Sequence, residues 1–160
     1  MNKLVIVAII LVLYILMLQI SPNVSDVFEV LQLTLDQFHG ELLFEKKPIV
    51  ITDKIVDPMS LLHTLFKYTY LYKHFDTHDV TILSQDNMLQ NAAQYCVFTP
   101  ACDQAAVIIE HPDTKKFENN LEIILERHQV LVLPFKWRYK VKQGKVNLIF
   151  LHTILSLICR

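Results

Sequence analysis

Hydrophobic and polar residues alternate most clearly between residues 136 and 142, where every second side chain is cationic and those between are apolar. The cationic residues occupy one parity and the apolar residues occupy the other: Lys136, Arg138, Lys140 and Lys142 against Trp137, Tyr139 and Val141. A period of two is typical of a β-strand with one buried and one solvated face. Just before it, the apolar run at residues 130–133 predicts a short buried strand that ends in a turn at Pro134.

The remaining pattern predicts a mixed α/β (α+β) domain. Asp57 followed by Pro58 is the clearest local signal, since aspartate suits a helix N-cap and proline suits the first helical position. Further strands are predicted at residues 27–32, 49–52, 80–83, 95–98 and 105–110, and helices at 35–45, 58–74 and 117–127. Residues 146–158 are predicted to form a core strand and a helix.

The most apolar stretch lies at the start of the sequence. Residues 4–20 contain no charged side chain, which reaches the short end of the roughly 17 to 25 residues that a membrane helix needs. We therefore predict a transmembrane anchor at residues 1–22 and one domain at residues 23–160. The residues predicted to face the membrane are Leu4, Ile6, Leu11, Tyr14, Leu18 and Ile20.

The flanks of this stretch favour a retained anchor of defined orientation. Ser21-Pro22 follows it, and a proline at that place disfavours signal-peptide cleavage. Lys3 precedes the stretch and Asp26 follows it, so the positive-inside rule predicts a single-pass protein with a cytosolic N-terminus. The bilayer is thus a predicted partner.

Composition narrows the possible functions. A chain of 160 residues with a net charge of -1 has the size of a single domain and no overall bias toward nucleic acid. Only Gly40 and Gly144 are glycines, which excludes a glycine-rich phosphate loop. The cysteines are predicted to be buried thiols, with a disulfide between Cys96 and Cys102 as the alternative.

Three short segments carry a family resemblance. They are TLDQF at residues 34–38, KPIVI at residues 47–51, and VLVLP at residues 130–134 with Trp137 and Tyr139 beyond it. Together they resemble a cupin-like domain of the JmjC type. They are especially similar to the reduced, membrane-anchored versions encoded by nucleocytoplasmic large DNA viruses. The resemblance implies a small, incomplete cupin-like β-sheet or barrel with flanking helices.

The same resemblance bears on catalysis. Active members bind iron with two histidines and a carboxylate and leave positions open for 2-oxoglutarate and oxygen. The last histidine would come just after the tryptophan, where this chain has Arg138 and Tyr139. A phenol with an ordinary pKa near 10 is a poor ligand for ferrous iron at neutral pH. We therefore predict no catalytic residue and no cofactor.

An alternative metal site remains open. His74-Phe75-Asp76 has the His-x-Asp spacing that would aim two side chains of a strand at one ion, although it falls at the end of a predicted helix. The alternative function is therefore a membrane-bound Fe(II) and 2-oxoglutarate dioxygenase. It would use His74 and Asp76 with either His128 or His152.

The favoured hypothesis is a non-catalytic component of a virion or of its internal membrane. A host-membrane adaptor is a further alternative. The predicted partners are the lipid bilayer and other virion or membrane proteins, with no specific nucleic acid. The predicted interaction surface consists of Lys136, Arg138, Lys140, Lys142 and Lys145. The alternative for these cations is protection of an edge strand against pairing with another chain.

Overall fold

The computed structural model describes residues 3–20, 27–55, 57–65, 73–81, 87–117 and 119–153, and within 73–81 it describes the backbone alone. The helices are α1 (Lys3–Ile20), a 3-10 helix (Gly40–Glu45) and α2 (Pro58–Leu65). The strands are β1 (Leu31–Leu33), β2 (Ile49–Ile51), β3 (Lys73–Thr81), β4 (Leu89–Gln90), β5 (Tyr95–Pro100), β6 (Gln104–Glu110), β7 (Asn120–Glu126), β8 (Val130–Pro134), β9 (Arg138–Gln143) and β10 (Lys145–Thr153).

Two sheets form the body of the protein. The larger has six strands in the order β1-β2-β8-β5-β10-β3, and the smaller has four in the order β4-β9-β6-β7. All described pairings are antiparallel except that of β1 with β2. The prediction of a mixed fold with a β-sheet body is therefore confirmed.

The main core lies between the two sheets. Alternate residues of strands from both sheets meet there, because successive side chains of a strand lie on opposite faces. Phe98, Leu131 and Leu133 come from the six-stranded sheet, and Val107 and Tyr139 come from the four-stranded sheet. Burial of this apolar surface is the main force that holds the sheets together.

A second core covers the other face of the six-stranded sheet. Val97 and Val132 lie on that face and pack with Leu43 of the 3-10 helix and with Leu61 and Leu62 of α2. Asp57 caps α2 as predicted, since its Oδ1 accepts a hydrogen bond from the N–H of Met59 at 3.0 Å. The described domain therefore has three layers, in which the six-stranded sheet is the middle one.

Gly144 lies where the chain passes from β9 in one sheet to β10 in the other. Its φ is +86°, a conformation that side chains of L-residues rarely adopt. A Cβ there would lie 2.6 Å from the carbonyl oxygen of Gln104 and 2.9 Å from Cα of Ala105. Glycine is thus required twice at this corner, for its backbone angle and for the close approach of β6.

Most of the strand predictions are confirmed. Strands β5, β6 and β8 cover the predicted segments, and β10 forms the predicted terminal strand. Strand β2 ends one residue early at Ile51, and β9 begins at Arg138 because residues 135–136 form a turn. The strand predicted at residues 27–32 is shorter and shifted, because β1 comprises Leu31–Leu33. The strand predicted at 80–83 belongs to the end of β3, with residues 82 and 83 outside the described part. The helix predicted at the end of residues 146–158 falls on residues 154–158, which also lie outside the described part.

Three helix predictions are wrong in extent or in type. Residues 35–45 form a turn and the 3-10 helix Gly40–Glu45 in place of one α-helix. The helix predicted at 58–74 is described as α2 only as far as Leu65. Its predicted end at His74 is wrong, because His74 lies on strand β3. Residues 117–127 contain strand β7, because Ile123 and Leu125 pack inward at a spacing of two. Apolar residues at 121, 123, 124 and 125 fit both periods, and pairing with β6 decides between them.

The predicted membrane segment coincides with α1. Its described side chains at positions 5–7 and 9–14 are exposed, including Ile6, Leu11 and Tyr14 of the predicted membrane-facing set. The side chains of Leu4, Leu18 and Ile20 lie outside the described part. Among the described residues, no helix combines the length and the apolar character needed to cross a membrane.

Candidate functional site

The pairing of β3 with β10 places the predicted His-x-Asp pair beside a further histidine. His74 lies directly opposite His152 in the register, and Asp76 lies directly opposite Phe150. Residues opposite each other in an antiparallel pair share one face of the sheet, as do residues two apart on one strand. His74, Asp76 and His152 therefore occupy neighbouring positions on the same sheet face.

That face is turned toward the space between the two sheets. Val146 and Leu148 belong to the main core, and Phe150 packs against it, so His152 continues the inward parity of β10. His152 is buried, and its ring stacks on that of Phe150 with centroids 6.4 Å apart. Among residues with described side chains, no three of His, Cys, Asp and Glu could together hold a metal ion. The side chains of His74 and Asp76 are not among them.

Tyr139 occupies the position where the resemblance implies the last metal ligand. It points into the core and meets the ring of Phe98 edge-on, with centroids 5.0 Å apart. Burial raises the pKa of Tyr139 well above its ordinary value, and the nearby Cys96 thiol raises it further. The side chain is thus a neutral phenol at physiological pH, and its chemistry does not suit a ferrous ligand.

Cys96 is likewise an unreactive, protonated thiol. It is fully buried, and burial raises the pKa of its thiol well above the ordinary value. Cys102 is half-buried, and its Sγ accepts a hydrogen bond from the N–H of Lys145 at 3.2 Å. Both cysteines are free, so the alternative of a disulfide between them is not observed.

His128 lies at the other end of the six-stranded sheet. Its ring Nδ1 is 3.2 Å from the carbonyl oxygen of Ile55, and it belongs to the turn between β7 and β8. This end of the sheet includes Asn147 of β10, which also lines the pocket beside His128. Asn147 and His152 are five positions apart, or about 17 Å along a strand. Of the two alternatives for a third ligand, the structure brings His152 and not His128 to His74.

An aromatic cluster that the sequence did not predict closes one side of the core. The fully buried Trp137 packs against the rings of Phe28 and His111, at 5.7 Å and 5.0 Å between centroids, and its Nε1 donates to the carbonyl of Lys46 at 3.2 Å. The ring of Phe117 lies 4.4 Å from that of His111. The sequence shows these rings only as isolated aromatic residues in four separate segments.

The His111-Pro112-Asp113 segment forms part of this cluster. Nδ1 of His111 accepts a hydrogen bond from the N–H of Asp113 at 3.0 Å, which is the geometry of a tight turn. The chain bends at Pro112 within this segment.

The predicted cationic surface is partly neutralised within the sheet. Nη1 of Arg138 lies 2.7 Å from Oε2 of Glu110, and Nζ of Lys142 lies 2.6 Å from Oε2 of Glu122. Lys140 shares this outer face because it lies between Arg138 and Lys142 at the same parity.

The other two cations of the predicted surface lie outside β9. Lys136 belongs to a turn with φ of +69°, and its Nζ lies 5.5 Å from the centroid of the Phe135 ring. Lys145 is the exposed first residue of β10. The five cations thus do not form one continuous strand face, and Arg138 and Lys142 are paired with carboxylates.

Comparison with known proteins gives limited results. No protein-family model matches the chain, and no curated protein matches it. Several solved structures are similar over part of the chain, among them the three that follow. The first is Streptomyces albus HEPD with 2-hydroxyethylphosphonate and Fe(II) bound, with a TM-score of 0.39 and 10% identity over 53% of this chain.

The other two are sugar-nucleotide proteins. WlaRA, a TDP-fucose-3,4-ketoisomerase from Campylobacter jejuni, has a TM-score of 0.32 and 14% identity over 49% of this chain. RmlC from Streptococcus suis in complex with dTDP-D-xylose has a TM-score of 0.31 and 13% identity over 65%. The matches cover 19%, 59% and 60% of the three chains in the same order. All three neighbours have cupin- or RmlC-like folds. Similarity this weak supports no function for the present chain.

Proposed function

We propose that this protein is a non-catalytic, membrane-attached cupin-like protein that acts through binding or assembly. The observation that carries the non-catalytic part is the buried Tyr139 in place of the implied terminal histidine. Ferrous oxygenase sites use imidazole and carboxylate ligands with open positions for small molecules. A neutral phenol packed against Phe98 supplies neither a ligand nor space at that place.

The core around Tyr139 supports the same proposal. Its neighbours between the sheets are apolar and almost fully buried, including Phe98, Leu131, Leu133 and Trp137. A close-packed apolar core of this kind stabilises the fold, and around Tyr139 its described side chains fill the space that a substrate would need. A scaffold or interaction module is the function that such an interior best fits.

The membrane part of the proposal rests on α1. The exposed side chains from Val5 to Tyr14 are apolar and adjacent along the helix, and contiguous exposed apolar surface marks a contact with a membrane or another protein. We propose the bilayer as the partner. The single-pass arrangement and the cytosolic N-terminus stay predictions.

The assignment to a virion, or to an internal membrane of a large DNA virus, rests on the sequence resemblance.

Alkaline carbonate extraction of membranes that contain the full chain tests the attachment, with Leu11→Glu as the matched variant. Release of the unaltered chain into the supernatant would contradict it. Absence of the protein from purified virions, with retention in host membranes, would favour the host-membrane adaptor.

One observation favours a second candidate function. The register pairs His74 with His152, and Asp76 follows two positions along the same strand, which supports a site of two histidines and a carboxylate. This is the ligand type of non-haem Fe(II) oxygenases, in which the bound iron would supply the site for 2-oxoglutarate and oxygen. The residues that would hold the iron are His74, Asp76 and His152.

One titration separates the two candidates. We would add Fe(II) and 2-oxoglutarate without oxygen to the full chain in detergent, and compare the unaltered protein with His74→Ala, His152→Ala and His128→Ala. Because His128 lies at the other end of the sheet, it serves as the control. We expect no stoichiometric iron in any of the four. Stoichiometric iron that His74→Ala and His152→Ala abolish and His128→Ala retains would overturn the non-catalytic proposal.

A further inference from the structure

A pocket of about 220 Å³ opens at the end of the six-stranded sheet where β7 turns into β8. Its lining includes Ile55, Thr99, Arg127, His128, Gln129 and Asn147. Ile55 belongs to the second core, so the pocket lies on the sheet face turned away from the four-stranded sheet. The volume is below the roughly 300 to 1,000 Å³ of pockets for drug-sized ligands, which favours a small ligand.

Arg127 supplies a guanidinium that can change partners. Its Nη1 lies 3.5 Å from Oδ1 of Asp103, and the two side chains are 66% and 96% exposed. An exposed ion pair of this kind contributes only about 0 to 1 kcal/mol, because water screens both charges. A phosphate or carboxylate in the pocket would offer the guanidinium a two-pronged hydrogen bond, which is stronger and more directional.

His128 is held in a fixed orientation. The carbonyl of Ile55 can only accept, so the contact with Nδ1 of His128 at 3.2 Å assigns a hydrogen to that nitrogen. The N–H of Ile55 in turn donates to the carbonyl of His128 at 3.0 Å. With φ at +75°, His128 has a backbone conformation that is uncommon outside glycine and that clusters at ligand sites. The reciprocal contacts with Ile55 maintain this conformation.

The other polar groups of the lining add donors. Oε1 of Gln129 accepts a hydrogen bond from the N–H of Glu126 at 3.0 Å, which leaves its amide nitrogen to donate. The hydroxyl of Thr99 already donates to the carbonyl oxygen of Asn147 at 3.4 Å, so of these two residues Asn147 adds a donor through its side-chain amide. The carboxylate of Asp103 pairs with Arg127 from outside the lining. The described lining therefore offers several hydrogen-bond donors and the positive charge of Arg127.

We propose that this pocket binds a small anion with a phosphate or carboxylate group, through Arg127 with His128 and Gln129. The site is separate from the positions of Tyr139 and His152, since Asn147 and His152 lie about 17 Å apart along β10. It does not depend on whether the protein is catalytic. Failure of this proposal and failure of the proposed function are thus distinguishable.

The test is an NMR titration of the full chain in detergent, with ¹⁵N-labelled arginine and histidine, at fixed ionic strength. The probes are inorganic phosphate in one arm and acetate in the other. The variants are Arg127→Gln and His128→Asn, because asparagine tolerates a positive φ better than most residues. The control is Lys115→Gln, which removes one positive charge from the connection at the opposite end of β7.

We expect saturable shifts of the Arg127 side-chain signal, and a loss of affinity of about tenfold or more in Arg127→Gln. Lys115→Gln should bind as the unaltered chain does. Tighter binding of phosphate than of acetate would assign a phosphate-bearing ligand, and the reverse would assign a carboxylate. Shifts that do not saturate, or an equal loss in Lys115→Gln, would overturn the proposal because either shows bulk electrostatics alone. Equal melting temperatures of the variants without ligand would confirm that the changes are local.

Discussion

The two faces of strand β9 come from one short segment, yet different kinds of interaction hold them. Trp137, just before β9, is fully buried and packs with aromatic rings from Phe28 and His111. Arg138 and Lys142 point outward and pair with Glu110 and Glu122. Apolar burial stabilises a residue whatever its apolar neighbours are, whereas an ion pair needs one particular partner in one place. Position parity therefore predicts the inner face but not the outer one.

This difference changes the meaning of the predicted interaction surface. Counted along the sequence, residues 136–145 contain a row of cations. In the sheet, carboxylates from β6 and β7 lie beside two of them, so the outer face carries both signs of charge. A face with both signs of charge favours solubility. It repels a positively charged partner less than a purely cationic face would. The interaction surface stays a prediction, now of a mixed-charge type.

The largest expected effect is on the inner face. We expect Trp137→Ala to lower the free energy of unfolding by about 3 to 5 kcal/mol, because it leaves a cavity among packed rings and removes the hydrogen bond to Lys46. Urea denaturation of the full chain in detergent measures it. The matched control is Lys140→Ala on the outer face, with an expected change within about 0.5 kcal/mol. A loss below about 1 kcal/mol for Trp137→Ala would mean that the core does not depend on this ring.

The next effect concerns the corner at Gly144, where the chain passes from β9 in the four-stranded sheet to β10 in the six-stranded sheet. We expect Gly144→Ala to cost about 2 kcal/mol or more, because its Cβ would meet the backbone of β6 and its φ is positive. Gly40→Ala is the control, since a Cβ there would meet no atom within 4 Å. Thermal unfolding of the two variants measures the difference. Equal melting temperatures would show that the corner can shift without cost.

The fold was predictable from sequence where a segment carries its own signal. The alternation around Tyr139, the apolar run of β8 and the capping aspartate Asp57 each gave a correct element. Strand β7 was missed because Leu121, Ile124 and Leu125 also fit a helical spacing, and only its pairing with β6 settles the matter.

The candidate site was less predictable because its parts are far apart in the chain. His74 and His152 become neighbours only through the pairing of β3 with β10. The pocket of Arg127 combines a turn with residues from β5 and β10 and from the segment after β2. The His-x-Asp spacing marks His74 and Asp76, but the spacing of residues in sequence carries no information on the long-range pairings that select His152 or that form the pocket.

The smallest expected effect is on the outer face, and it tests the comparison most directly. Nζ of Lys142 lies 2.6 Å from Glu122 across the intervening strand β6, with both side chains about half exposed. A double-mutant cycle of Lys142→Met and Glu122→Gln should give a coupling energy of about 0.2 to 1 kcal/mol that decreases with added salt. Urea denaturation at low and high salt measures it. A coupling above about 2 kcal/mol that salt leaves unchanged would show a desolvated pair. In that case the outer face of β9 would be a covered surface, and the search for a partner would begin there.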